Sequence, residues 1–179
     1  MNLLAALRQS VQGWIMILRG EPGWQDRFRL GLPGLVTALV LFYLFAFLAV
    51  VLASFEVGVP TLQNFFDIMV IQSLWLLALL AGLFGTRFAV RDSGPILPVL
   101  VPAIHALVFY LVLGALVSLA IGLLLPLLWL GLVYMLFRLG RLAGGWTMGV
   151  SAAFAVLTVL LLVGTPITLY MLTASVPAA

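Results

Sequence analysis

Long apolar stretches without charged side chains dominate this chain. Residues 34–53, 68–84 and 149–173 carry no charge, and the 43 residues from Leu97 to Leu139 contain one full charge, Arg138. A helix needs roughly 17–25 apolar residues to cross about 30 Å of hydrocarbon. Only 7% of the 179 residues are charged, too few to cover a water-exposed surface. The sequence therefore predicts an all-α, polytopic integral membrane protein.

The apolar stretches divide the chain into three parts. We expect a cytoplasmic amphipathic helix and linker over 1–32, a transmembrane domain over 33–175 and a short outer tail over 176–179. Two crossings within 97–139 require a tight turn around Gly122 to Pro126, and a hairpin whose turn stays buried inside the membrane is the alternative. The predicted five transmembrane helices cover about 34–53, 68–84, 97–121, 123–139 and 149–173.

The positive charges give the orientation. All eight are arginines, and they precede the first span or lie in the loops after the second and fourth spans. The loop after the first span has Glu56 and Asp67 but no positive residue. Because short loops rich in arginine stay in the cytoplasm, the N-terminus is predicted inside and the C-terminus outside. Met1 to Leu7 lacks a positive cluster, so we expect no signal peptide at the start.

Residues 3–18 have the pattern of an amphipathic helix. At about 100° per residue their apolar side chains share one arc, with arginine and glutamine along its edge. Glu21-Pro22-Gly23 then ends the helix. Two interpretations remain open, because an interfacial helix at the lipid headgroups and a helix packed on the protein's own spans need the same pattern. The arc consists of Leu3, Leu4, Leu7, Val11, Trp14, Ile15 and Leu18, and its edge of Arg8, Gln12 and Arg19.

The arginines near the predicted cytoplasmic surface are candidate contacts for anionic lipid or a protein partner. Each positive residue near an anionic membrane contributes about 1 kcal/mol to binding. Simple solvated charge is the alternative, because any membrane protein with this orientation carries similar residues. The candidates are Arg27, Arg29, Arg87, Arg91, Arg138 and Arg141.

His105 is the one ionisable residue placed well inside a predicted span. It lies roughly 9 Å below the cytoplasmic interface at the helical rise. An imidazole can relay protons or meet a ligand near neutral pH. A neutral ring that hydrogen-bonds within the bundle is the structural alternative. Gln72 and Ser73 lie nearer the outer half and are predicted to join helices by hydrogen bonds.

The composition excludes most catalytic chemistry. There is no cysteine for a disulfide or thiolate, and one histidine cannot supply a paired-histidine metal site. Gly149-Val150-Ser151 lacks a basic partner for a serine nucleophile. A net charge of +3 is no phosphate-binding surface, so no nucleic-acid partner is expected. We expect no enzyme activity, no cofactor and no metal.

Small residues at four-residue spacing predict close helix contacts. Gly114, Ser118 and Gly122 form one such face, which indicates an internal helix contact and, less specifically, a partner. Ala78 with Gly82 repeats the pattern. Gly164-Thr165-Pro166 could break the last span, although a packing kink is the commoner meaning of such a proline.

The second half of the chain resembles the Yip-domain family. The segments PAIHALVFYLVLGALVSLAIG and PLLWLGLVYMLFRLGRLAGGWTMGVSAAFAVLTVLLLVG carry the likeness. It implies a cytoplasmic N-terminal segment, five packed spans and a short basic loop before the last span. The eukaryotic Asp-Leu-Tyr-Gly-Pro signature is absent, which argues against small GTPases, and the arginine-only composition is more similar to bacterial inner-membrane members. The matching positions are Arg138 to Arg141, Gly149, Ser151, Ala152 and Ala153.

Two functions remain. The first is a non-enzymatic scaffold, assembly factor or accessory subunit that acts through its cytoplasmic face with membrane lipids and a protein partner or a second copy. The second is a small-solute transporter with His105 and the Pro166 kink in its mechanism. Five spans in 179 residues leave little mass outside the membrane, which favours the first.

Overall fold

The computed structural model describes residues 3–58, 61–121 and 124–174. These residues form helices joined by short connections, without a β-strand in the described ranges. Gly122 and the predicted outer tail lie outside the described residues. The helices are α1 (Leu3–Arg19), η1, a single 3₁₀ turn (Trp24–Arg27), α2 (Leu32–Val57), α3 (Leu62–Val90), α4 (Leu97–Ile121), α5 (Leu125–Leu142) and α6 (Met148–Ala174).

Within the described residues, four helices are long and apolar enough to cross a membrane: α2, α3, α4 and α6. α3 has 29 residues, which gives a length of about 43 Å against about 30 Å of hydrocarbon. Its polar first turns, with Gln63 and Asp67, and its last turn, with Arg87, therefore extend beyond the apolar core. The predicted second span, 68–84, is the central part of this longer helix.

α4 is the most buried of the four long apolar helices. All residues from Val99 to Val108 are buried. α4 packs against α2 and α5, while α6 packs against α5 and α3, and α2 touches α3 more lightly. Pro126 lies in the first turn of α5, where its missing N–H is tolerated. The order around the bundle is therefore α2, α4, α5, α6 and α3.

Small residues set the closest helix contacts. A Cβ at Gly82 of α3 would collide with the side chain of Thr158 on α6, and a Cβ at Gly140 of α5 would lie 3.1 Å from Ser151 Oγ. Between α2 and α3, the Tyr43 hydroxyl and Ser73 Oγ are 3.0 Å apart. Small side chains let helices approach in lipid, where the hydrophobic effect does not drive association.

At its described residues, Gly114 and Ser118, the predicted small-residue face makes no such contact. No atom of another helix lies within 4 Å of a Cβ built at Gly114. Ser118 is exposed and donates its hydroxyl to the Ala115 carbonyl of its own helix. Within the described residues, no other helix packs on this face. Small residues at four-residue spacing allow a helix to approach closely, but they do not determine which helix does so.

α6 continues through Pro166 as one helix. Pro166 cannot donate to the preceding turn. The nearby Thr165 and Thr168 hydroxyls donate to the Leu161 and Gly164 carbonyls. The carbonyl that Pro166 leaves without a helix donor is that of Leu162, four residues earlier, so these hydroxyls do not replace the missing bond. The helix continues through the proline without a break.

Candidate functional site

The eight arginines lie at one end of the bundle, which we call the arginine end. It comprises α1, η1, the α3–α4 loop and the α5–α6 loop. α1 is docked onto the bundle at two points. Trp14 Nε1 donates to the Pro102 carbonyl of α4 over 3.1 Å, and Arg138 Nη2 of α5 donates to the Ile17 carbonyl over 3.3 Å. Trp14 and Ile17 are buried.

The opposite side of α1 is uncovered. Leu4 is 79% exposed, Val11 42% and Ile15 43%. Arg8 lies beside them and is also exposed. The apolar arc is thus divided between two surfaces, since part of it packs on the bundle and part faces outward.

The chain after α1 folds back beneath it. Gly20 has φ +76°, and its N–H donates to the Ile17 carbonyl, as is typical of a helix C-terminus. Phe28, in the linker, then lies against Gly13, where a Cβ would collide with its ring. The Phe28 ring meets His105 edge-on at a centroid distance of 5.6 Å.

A cavity of about 150 Å³ opens between α1, the linker, α2 and α4. Its described lining contains no Asp or Glu. Backbone of the first turn of α2, at Gly34, and Val101 of α4 complete the wall. The polar side chains that line it are Gln9, Ser10, Arg27, Arg29, Thr37 and His105.

His105 has a defined hydrogen-bond arrangement. It is 5% exposed, and Nδ1 lies 2.9 Å from the Val101 carbonyl. Because a carbonyl only accepts, Nδ1 is the donor, and a neutral ring then carries its lone pair on Nε2. Nε2 makes no hydrogen bond within the described residues. His105 therefore presents an acceptor from the cavity wall.

The six candidate arginines fall into two classes. Arg87, Arg138 and Arg141 bond to backbone carbonyls of the protein. Arg87 donates to the Asp92, Gly94 and Pro95 carbonyls, and Arg141 donates to the Trp146 carbonyl over 2.9 Å. These guanidinium groups hold loops and helix ends together.

The other three candidate arginines, Arg27, Arg29 and Arg91, are exposed. Arg27 makes one long bond, 3.5 Å, to Gln12 Oε1. The side chains of Arg29 and Arg91 make no hydrogen bond or ion pair within the described residues. Together with Arg141, which is also exposed, these are the arginines of the candidate set that a ligand can reach.

Asp92 joins the two loops of the arginine end. Trp146 Nε1 donates to Asp92 Oδ2 over 3.0 Å, and the Gly94 N–H donates to Oδ1 over 2.8 Å. Arg87 lies 3.8 Å from the carboxylate. The Gly94 N–H first, then the Trp146 indole and the Arg87 charge, lower the pKa of Asp92 despite its partial burial. The hydrogen bond from Trp146 to Asp92 therefore holds the α5–α6 loop against the α3–α4 loop, a contact that we call the loop clasp.

The sequence did not predict that the polar residues of the cavity lie together. Arg27, Arg29 and His105 were candidates for separate reasons, and Gln9, Ser10 and Thr37 were not candidates. The only available signal was the polar edge of α1, which Gln9 continues.

Comparisons with known proteins give no relative: no protein-family model, curated protein or solved structure matches this chain. The resemblance to Yip-domain proteins therefore stays a prediction. Within the described residues, no group of three or more His, Asp or Glu side chains is placed to hold a metal ion.

Proposed function

We propose that the chain is a five-span membrane protein of the Yip type, in a bacterial inner membrane, with the arginine end in the cytoplasm. α5, in the region of the predicted fourth span, brings the number of spans to five. It has 18 residues, or about 27 Å, and packs between α4 and α6. The positive-inside rule supports the orientation, since all eight arginines gather at one end.

The protein acts without catalysis, as a scaffold, assembly factor or accessory subunit, and anionic lipid together with a protein partner or second copy engages its arginine end. The observation that carries this proposal is the half-docked α1. Its exposed side combines Leu4, Val11 and Ile15 with the unpaired Arg8. Apolar side chains beside arginines suit the headgroup boundary of an anionic membrane.

The absence of native cysteine allows a direct test. A polarity-sensitive fluorophore on Ile15→Cys reports the environment of the exposed side of α1, and Gln25→Cys in the exposed 3₁₀ turn is the matched control. In nanodiscs, we expect the Ile15 label to be shielded from aqueous quencher, and more so when phosphatidylglycerol replaces phosphatidylcholine. Equal quenching of the two labels in both lipids contradicts the lipid contact.

The accessory role needs its own measurement. We expect a stoichiometric protein partner to accompany the chain on gentle extraction from its native membrane. The double variant Arg29→Gln, Arg91→Gln removes two reachable charges without touching the loop bonds, so it should release that partner. Recovery of the chain alone, with or without the substitutions, argues against an accessory subunit.

A transporter is the second candidate, favoured by the cavity that reaches His105. In this case His105 exchanges protons or contacts the solute during passage. His105→Ala should then abolish pH-dependent flux in reconstituted vesicles. Full flux in that variant removes His105 from the mechanism.

A further inference from the structure

We propose that the cavity between α1, the linker, α2 and α4 binds one phosphate ester that carries a neighbouring hydroxyl. A phosphatidylglycerol headgroup and a soluble polyol phosphate share this chemistry. The proposal deepens the proposed function, and it rests on that function only for a lipid source.

The charge of the lining selects an anion. Arg27 and Arg29 both line the cavity, and its described lining contains no carboxylate. Arg29 has no partner within the described residues, and Arg27 has only the long bond to Gln12. Guanidinium groups bind phosphate through paired, charge-assisted hydrogen bonds. The first turn of α2, which contributes Gly34, adds the positive end of a helix dipole.

The neutral lining selects the rest of the ligand. Nδ1 of His105 is occupied by Val101, which leaves Nε2 as an acceptor. The phosphate group of a diester, or a phosphate dianion, has no proton to donate to this nitrogen. A hydroxyl group next to the phosphate does. Ser10 donates its hydroxyl to the Leu7 carbonyl over 2.7 Å, so its oxygen lone pairs are also suited to accept from a ligand hydroxyl.

The size of the cavity fits a headgroup rather than a whole lipid or a large metabolite. Its volume of about 150 Å³ is about five times the liquid volume of one water molecule. A separate cavity of about 220 Å³, lined only by leucine and isoleucine, lies between α2, α3 and α4. The two cavities share no lining residue, so one small ligand occupies the polar cavity alone.

The soluble arm of the test uses glycerol 1-phosphate and the full chain in phosphatidylcholine nanodiscs, which provide no competing anionic headgroup. We expect saturable binding by calorimetry. Arg29→Gln should weaken binding by roughly tenfold or more, the cost of a charged hydrogen bond, while Arg19→Gln, at an exposed arginine of α1 outside the cavity lining, leaves it unchanged. Absence of binding, or equal loss in both variants, overturns the proposal.

The ligand itself tests the role of His105 without a risk to folding. Methyl phosphate keeps the charge but lacks the hydroxyl, so we expect it to bind several-fold more weakly than glycerol 1-phosphate, and glycerol alone not to bind. Equal affinity of the two phosphates overturns the assignment of the hydroxyl to His105.

The lipid arm distinguishes the source. In nanodiscs with phosphatidylglycerol, competition with glycerol 1-phosphate assigns the cavity to the lipid headgroup, and undiminished binding assigns it to a soluble ester. If the Ile15 label does not respond to phosphatidylglycerol but glycerol 1-phosphate still binds, the proposed lipid surface fails and the cavity site stands. If the Ile15 label responds to phosphatidylglycerol but glycerol 1-phosphate does not bind, the proposed lipid surface stands and the cavity site is overturned.

Discussion

Arg138 fastens α1 to the bundle, and its removal should release that helix alone. The guanidinium donates to the Ile17 carbonyl at the C-terminal end of α1, where a positive charge also meets the negative end of the helix dipole. A hydrogen bond to a charged group contributes about 1.5–3 kcal/mol. Arg138 Nε is buried without a partner among the described residues, so substitution also relieves a desolvation cost.

For Arg138→Gln the balance is a net loss of about 1–2 kcal/mol, or roughly 5–30-fold in the undocking equilibrium of α1. Hydrogen exchange in nanodiscs measures this equilibrium helix by helix. We expect faster exchange for the amides of residues 3–19 and unchanged exchange in α2, α3, α4 and α6. Arg91→Gln, an exposed arginine without a partner, is the control.

Two results would contradict this role of Arg138. Exchange of α1 within twofold of the wild-type rate would mean that the contact contributes nothing. Acceleration spread evenly over all helices would mean that Arg138 supports the whole bundle rather than the docking of one helix.

The remaining predictions concern the loop clasp and the helix contacts. The Gly94 N–H and its neighbours lower the pKa of Asp92, so its stabilising effect, present above about pH 4, is lost as the pH falls through the lowered value. In Asp92→Asn, the melting temperature should fall less between pH 5 and pH 3 than it does in the wild type. Gly82→Ala should cost about 1–3 kcal/mol by forcing α3 from α6, whereas Gly85→Ala, with open space around its Cβ, should melt normally. Trp129→Leu should cost about 1–3 kcal/mol in thermal unfolding, since it removes two aromatic contacts, and a normal melt would show that those rings do not stabilise the bundle.

The sequence predicted the helical membrane class because apolar length is a local property. α4 occupies the residues predicted for the third span, 97–121. α3 is longer than the span predicted within it, 68–84, because polar first turns, which include Gln63 and Asp67, continue the helix beyond its apolar centre. The candidate site was harder to predict from the sequence. The linker after α1 folds back and brings Phe28 against His105, and such a contact between residues distant in sequence leaves no local pattern.

The same limit explains why the arginines looked equivalent in sequence. Positive charge near a membrane surface is needed for orientation, and that requirement does not say what each guanidinium touches. Arg87, Arg138 and Arg141 donate to carbonyls at loop turns and helix ends, so part of their hydrogen-bonding capacity is used within the protein, although Arg141 is exposed. An external anion can therefore reach Arg141 and the exposed arginines of α1, the linker and the end of α3. Two of these, Arg27 and Arg29, line the same cavity as His105. Exposed positive charge and a buried imidazole are therefore close together where α1 covers the bundle.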